Sequence, residues 1–195
     1  MRIISGLARG RKLATPGQSK AIRPTTDRAR EALFSILGNR VEGARVLDLF
    51  AGTGALGLEA ISRGAKQVVF VDYHHAALQL ITQNCTNCMQ SMGPVSFKKT
   101  VILKHDLQRN FQLKFPQSVK YTVFDLIFLD PPYGQNLAES VLNEIDTSDL
   151  IHSSTLVIAE ERSSETLPQS FSRLSLSDHR KYGDTGFWLY TVKTD

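Results

Sequence analysis

Short apolar runs recur along the chain at residues 46–50, 68–71, 101–103, 124–129, 156–159 and 187–192. Each has the length of a buried strand, and stretches at about 55–63, 74–91 and 135–147 fit helices between them. Strand and helix alternating in this way predict βαβ units, because parallel neighbours need a crossover long enough to carry the chain back. The expected fold is therefore α/β, a mainly parallel sheet with helices on both faces, which binds its ligands at the carboxyl ends of the strands. One more helix is predicted upstream. Thr25 or Thr26 can cap it after Pro24, Asp27 suits the positive end of its dipole, Leu33, Phe34 and Leu37 form its apolar stripe, and Gly38 stops it. Arg28 and Arg30 then fall on its more exposed side. Residues 1–23, with the turn signal Pro16-Gly17, read as a short strand or hairpin followed by loop.

Charge divides the chain into two parts. Residues 1–40 hold nine Lys or Arg against Asp27 and Glu31, a balance of +7, so the rest carries −3 of the net +4. A basic extension on a slightly acidic body is the pattern of a phosphate-backbone contact, and a solvated tail is the alternative. We accordingly expect residues 1–40 to form a basic extension with a helix and residues 41–195 to form the α/β domain, a size one core can support. With 42% hydrophobic and 22% charged residues the composition excludes a disordered chain. No apolar run approaches the length of a membrane span, and Arg2, Arg9 and Arg11 stand where a leader would be apolar, so a cytoplasmic location is expected. Cys85 and Cys88 have the spacing of half a zinc site. No second pair or His motif follows them, so they are expected to share a helix face and no metal is expected.

The segment Asp48-Leu49-Phe50-Ala51-Gly52-Thr53-Gly54-Ala55-Leu56-Gly57 closes one predicted strand and opens a helix, satisfying G-x-G-x-x-G. Glycines there let the backbone turn sharply and approach a ligand. Asp72, 20 residues after Gly52 at the end of the next strand, can accept both hydroxyls of a ribose. These features alone fit either NAD or S-adenosylmethionine. Asp48 favours the second, since it can reach the methionine portion directly or through water but would repel a pyrophosphate. Asp106, after the third strand, stands where it or its backbone can bond an adenine amine, although a capping role is as easily assigned. The candidate cofactor-binding set is thus Asp48, Phe50, Ala51, Gly52, Thr53, Gly54, Asp72 and Asp106. Asp130-Pro131-Pro132-Tyr133 follows the strand at 124–129 and decides the chemistry. Two prolines fix the backbone and remove two N–H donors, leaving acceptors that suit an amine substrate. The lone pair of an exocyclic base amine is delocalised into its ring. Accepting both N–H bonds, at the Asp130 carboxylate and the Pro131 carbonyl, favours a tetrahedral nitrogen facing a methyl donor. Tyr133 is suited to stacking on the base, so Asp130, Pro131, Pro132 and Tyr133 form the candidate catalytic set.

The chain resembles the bacterial methyltransferases that modify guanine N2 in 16S ribosomal RNA. The resemblance rests on Arg23-Pro24-Thr25-Thr26-Asp27-Arg28-Ala29-Arg30-Glu31, on Leu47-Asp48-Leu49-Phe50-Ala51-Gly52-Thr53-Gly54, on Phe128-Leu129-Asp130-Pro131-Pro132-Tyr133 and on Tyr182-Gly183-Asp184-Thr185. It implies the Rossmann-like seven-stranded sheet of S-adenosylmethionine-dependent methyltransferases with an antiparallel last strand. It also implies a guanine substrate in 16S RNA, within the small subunit or its assembly intermediate. Arg9, Arg11, Lys12, Arg23, Arg28 and Arg30 become the candidate RNA contacts, and a monomer is expected. The stretch from Lys98 to Val123 departs from the family pattern. A DNA or other RNA amino-methyltransferase, acting on adenine N6 or cytosine N4, uses the same chemistry. The DNA enzymes usually add a target-recognition region for which this chain has no room. Methylation of a protein glutamine uses Asn in place of Asp130, a nicotinamide dehydrogenase has no use for the proline box, and a non-catalytic RNA-binding module explains neither ligand motif.

Overall fold

Residues 1–15, 27–92, 100–119, 122–134 and 136–194 are described by the computed structural model. Among them, β1 (Arg45–Leu49), β2 (Gln67–Asp72), β3 (Thr100–Lys104), β4 (Phe124–Leu129) and β5 (Ile151–Arg162) pair in parallel, while β7 (Thr185–Val192) runs antiparallel between β5 and β6 (Leu174–Tyr182). The sheet order is β3-β2-β1-β4-β5-β7-β6. This seven-stranded sheet with one antiparallel strand, the last in the chain, is the architecture the resemblance implied.

The helices cover both faces because alternate residues of the buried strands point to opposite sides. α1 (Asp27–Leu37), α2 (Ala55–Ser62) and α3 (His75–Met92) pack against Val46, Phe70, Phe128 and Ile158, whereas α4 (Leu137–Thr147) packs Val141, Leu142 and Ile145 against Leu47, Leu129 and Ala159. β6 was not expected from the apolar pattern. Its residues are mostly half-exposed and its pairing shifts register between Leu176 and Asp178, so an edge position removes the signal that marks a core strand. Cys85 and Cys88 lie in the core beneath α3, where burial pushes the thiols up to about 12 and about 11.

The N-terminal segment is a folded layer rather than a loose arm. Arg2 and Lys12 bridge in antiparallel fashion, with the Ile3 N–H donating to the Arg11 carbonyl at 2.9 Å, so the expected hairpin is present. Ile3, Ala8 and Leu13 join the same apolar cluster as α1, α2 and the sheet. Their cover explains why every residue of α2 is buried, a helix apolar all round being stable only between two layers. Glu59 of α2, fully buried, accepts the N–H groups of Ile4 and Ser5 at 2.7 and 3.0 Å and Nε of Arg63 at 2.7 Å. Gly6 runs so close to α2 that a Cβ there would meet the Ser62 carbonyl at 1.9 Å.

Arg30 corrects an expectation. It is fully buried, not exposed, with Nε 3.9 Å from Glu59 and Nη2 3.1 Å from Asp27, and it also donates to the Arg2 carbonyl. A guanidinium taken out of water needs acidic and carbonyl partners, and those partners fix the N-terminal layer to the body. Burial pulls its pKa below the ordinary value, opposed by Glu59 and Asp27. Arg28 is exposed as expected, as are Arg9, Arg11 and Lys12, while Arg23, Thr25 and Thr26 lie outside the described residues.

Candidate active site

The turn after β1 is built on left-handed backbone. Phe50, Gly52 and Gly54 have φ of +57°, +56° and +75°, a region costly for a residue with a Cβ, which makes Phe50 the strained member. Two carboxyl groups hold this turn. Asp72, the last residue of β2, accepts the Gly52 N–H at Oδ2 and the His74 N–H at Oδ1, both at 2.9 Å. Asp48 accepts the Gly57 N–H in the first turn of α2, also at 2.9 Å. Gly57 cannot carry a side chain, because a Cβ would lie 2.3 Å from the Phe70 ring. The glycines thus divide the expected work: the first two turn the chain and the third lets α2 lie on β2. Asn84 of α3, unforeseen in the sequence, closes the loop from behind by donating to the carbonyls of Thr53 and Ala14 at 2.9 and 3.0 Å.

Register brings the other motif alongside. Leu49 pairs with Val71 of β2 and Leu129 of β4, and Leu129 pairs with Ala159 of β5. The next residue in each strand, Asp72, Phe50, Asp130 and Glu160, therefore stands at one level along the carboxyl edge. Leu129 and Ala159 face α4, so strand alternation turns Asp130 and Glu160 to the opposite side, the side of α2 and the glycine turn. Pro131 is buried, Pro132 exposed and Tyr133 half-buried. The Tyr133 hydroxyl donates to Glu160 at 3.0 Å, and the Arg162 guanidinium lies 5.8 Å from the ring centroid over one face. Burial, Glu160 and Asp130 together push the phenol far above its ordinary value, which keeps it a donor. Thr185, from the fourth motif, also bonds this hydroxyl, so the β6–β7 turn belongs to the same site.

Glu160 is the residue that sequence reasoning missed. Its signal was an acid directly beyond the apolar run 156–159, the strand that follows the proline box. Asp106 is brought to the end of β3 but is engaged in its own turn. It accepts the Gln108 N–H at 3.1 Å and pairs with Arg109 at 3.2 Å.

The family model described as conserved hypothetical protein 95 matches residues 1–191. The chain belongs to that family. Ribosomal RNA small subunit methyltransferase D of Escherichia coli (strain K12) is 33% identical over 190 residues, covering 97% of this chain and 89% of that one. The Bacillus subtilis (strain 168) protein YlbH is 35% identical over 191 residues, with 97% and 98% covered. The solved structure of Escherichia coli yhhF superposes with a TM-score of 0.77 at 28% identity, covering 100% of this chain and 99% of that one. The family member described here is a methyltransferase. Among the described residues no helix is long and apolar enough to cross a membrane.

Asp48 gives the site a pH signature. It is 1% exposed, and burial, with Asp72 nearby, raises its pKa to about 8 despite the Gly57 N–H. The folded protein then holds this proton more tightly than the unfolded chain, whose Asp titrates near 4. The stabilising contribution is full below about pH 4 and is lost as pH rises through about 8. Asp48→Asn keeps an acceptor for Gly57 and cannot ionise. Its stability relative to the unmodified protein should therefore rise between about pH 5 and 8 and level off above. Urea midpoints of the cofactor-free proteins across that range check this, and parallel curves would show that Asp48 does not titrate there.

Proposed function

We propose that this chain transfers the methyl group of S-adenosylmethionine to the exocyclic N2 amine of a guanine in small-subunit ribosomal RNA. The observation that carries the reading is the placement of Asp130 and its proline box one strand from the glycine turn, at the level of Asp72 and Phe50. The names of the relatives from Escherichia coli and Haemophilus influenzae, ribosomal RNA small subunit methyltransferase D, support the substrate class.

The residues fit the cofactor. Asp48 and Asp72 put two carboxyl groups beside the turn Phe50, Ala51, Gly52, Thr53 and Gly54, and these offer acceptors to the ammonium and hydroxyl groups of such a ligand. Bound there, S-adenosylmethionine supplies an electrophilic methyl group. Asp72 has lone pairs beyond those given to Gly52 and His74, so its carboxylate can take the ribose hydroxyls. The turn at Asp106, after β3, is the candidate contact for the adenine amine.

Asp130 does the orienting. Its carboxyl group accepts one N–H of the amine and the Pro131 carbonyl accepts the other, which holds the nitrogen lone pair toward the methyl group. Neither proline offers a competing N–H. Tyr133 presents the ring face not covered by Arg162 as a platform for a base taken out of its stack. Arg9, Arg11, Lys12 and Arg28, exposed on the N-terminal layer and α1, meet the phosphate backbone, a contact that needs only charge.

Cofactor binding should weaken at least tenfold in Asp72→Ala, since each charge-assisted bond is worth roughly 1.5 to 3 kcal/mol. Calorimetry with S-adenosylhomocysteine measures it, and unchanged affinity would put the ribose elsewhere. Asp130→Ala should slow methyl transfer by roughly a hundredfold or more with nearly unchanged cofactor affinity. Asp130→Asn, which keeps a carbonyl acceptor, should retain partial activity. Single-turnover transfer of a labelled methyl group to undermethylated small subunits, followed by mass spectrometry of the RNA, tests both rate and site. A wild-type rate for Asp130→Ala would remove the proline box from the chemistry.

The RNA surface calls for substitution instead of truncation, because deleting the N-terminal layer would strip Ile3, Ala8 and Leu13 from the core. Replacing Arg9, Lys12 and Arg28 together by Ala should lower RNA affinity. Each lost phosphate contact should also flatten the salt dependence by about 0.7 to 0.9 of a log unit per log unit of salt. An unchanged slope in a folded variant would mean that these side chains serve solvation only.

A further inference from the structure

We infer that Glu160 is a base-recognition residue that accepts the N1–H of the target guanine beside Asp130 and thereby excludes adenine and cytosine from the site. The inference rests on the reading of the chain as a guanine-amine methyltransferase and goes on to assign the residue that selects the base.

Three observations converge on this residue. Glu160 is only 2% exposed, yet it lies at the carboxyl edge where the chemistry is placed. Its neighbour Ala159 pairs with Leu129, so Glu160 and Asp130 stand abreast on adjacent parallel strands, about 4.8 Å apart across the ladder, and turn to the same face. The Tyr133 hydroxyl donates to its Oε1 at 3.0 Å, and both Asp130 and Glu160 act on that hydroxyl, so the three groups border one space. A carboxyl group offers about four acceptor sites, and the Tyr133 hydroxyl bonds one of them.

The bases differ in what they would bring to such a pair. Beside its N2 amine, guanine carries an N1–H donor. Adenine has the N1 lone pair beside its N6 amine, and cytosine has the N3 lone pair beside its N4 amine. With Asp130 on the amine, the next atom of the base meets Glu160. A guanine donates to that acceptor, whereas adenine or cytosine would set one lone pair against another. A site built to hydrogen-bond one group rejects the analogue lacking it far more strongly than a site relying on shape alone.

The test uses small subunits reconstituted on RNA in which the methylated guanosine, once mapped, is kept or replaced by 2,6-diaminopurine riboside. That base retains the N2 amine but has a lone pair at N1. The unmodified enzyme should prefer guanine by roughly a hundredfold or more in kcat/KM. Glu160→Gln, whose amide N–H can donate to N1, should lose at least tenfold on guanine and gain on diaminopurine, while S-adenosylhomocysteine affinity and melting temperature stay the same. A role confined to holding Tyr133 would lower both substrates alike and leave the ratio unmoved, which would overturn the inference. Equal use of both bases by the unmodified enzyme would also overturn it, without reference to any variant. Failure of the unmodified enzyme to methylate the guanine particles would instead remove the base-amine reading beneath it.

Discussion

The parallel register of β2, β1, β4 and β5 is the constraint on which the site depends. Because Val71, Leu49, Leu129 and Ala159 are hydrogen-bonded partners in sequence across the sheet, the residues that follow them emerge at one height. Asp72 and Asp130 are then separated only by the turn at Phe50, and Glu160 follows on the other side of Asp130. A slip of one residue in β4 would turn Asp130 to the α4 face and away from the glycine turn. The apolar side chains beneath prevent that slip, since Leu129 and Ala159 are buried against α4 while Phe128 and Ile158 are buried on the opposite face. Core packing therefore sets the distance between the glycine turn and the proline box.

A second consequence concerns charge. The edge gathers carboxyl groups on the face of the sheet that α1 and α2 cover, and the exposed arginines and lysine stand on the layer outside α2 and on α1. This arrangement suits a reaction that brings a cationic methyl donor and a polyanionic substrate to one protein. It is maintained by the opposite device at the base of the layer, where Glu59 and Arg30 are buried together and Glu59 takes the backbone of Ile4 and Ser5. Removing one member of such a buried group leaves the other uncompensated. The basic segment is thus both structural cover and candidate RNA surface, with Arg30 serving the first use and Arg9, Lys12 and Arg28 exposed for the second.

Much of this was legible before any coordinates. Apolar runs marked six of the seven strands, because strands packed on one or both faces draw mainly on Val, Ile, Leu and Phe. Gly52, Gly54 and Gly57 announced a strand-to-helix turn, and the prolines of Asp130-Pro131-Pro132-Tyr133 announced a rigid acceptor loop, since those residue types are dictated by backbone geometry within a few positions. Asp48 and Asp72 could be named from their places at strand ends. Such features are local, and local physics is written in consecutive residues.

Tertiary structure decided what depends on partners far away in the chain. β6 was hidden because an edge strand with half-exposed side chains shows no core pattern. Arg30 read as a surface cation until Glu59, 29 residues on, was seen to bury beside it. Glu160 read as an ordinary acid after a strand until the register with β4 set it abreast of Asp130 and under the hydroxyl of Tyr133. In each case the residue type left its partner open. Only the pairing of strands and the stacking of layers determined whether a charged side chain would face water, another charge, or the place where the base is proposed to bind.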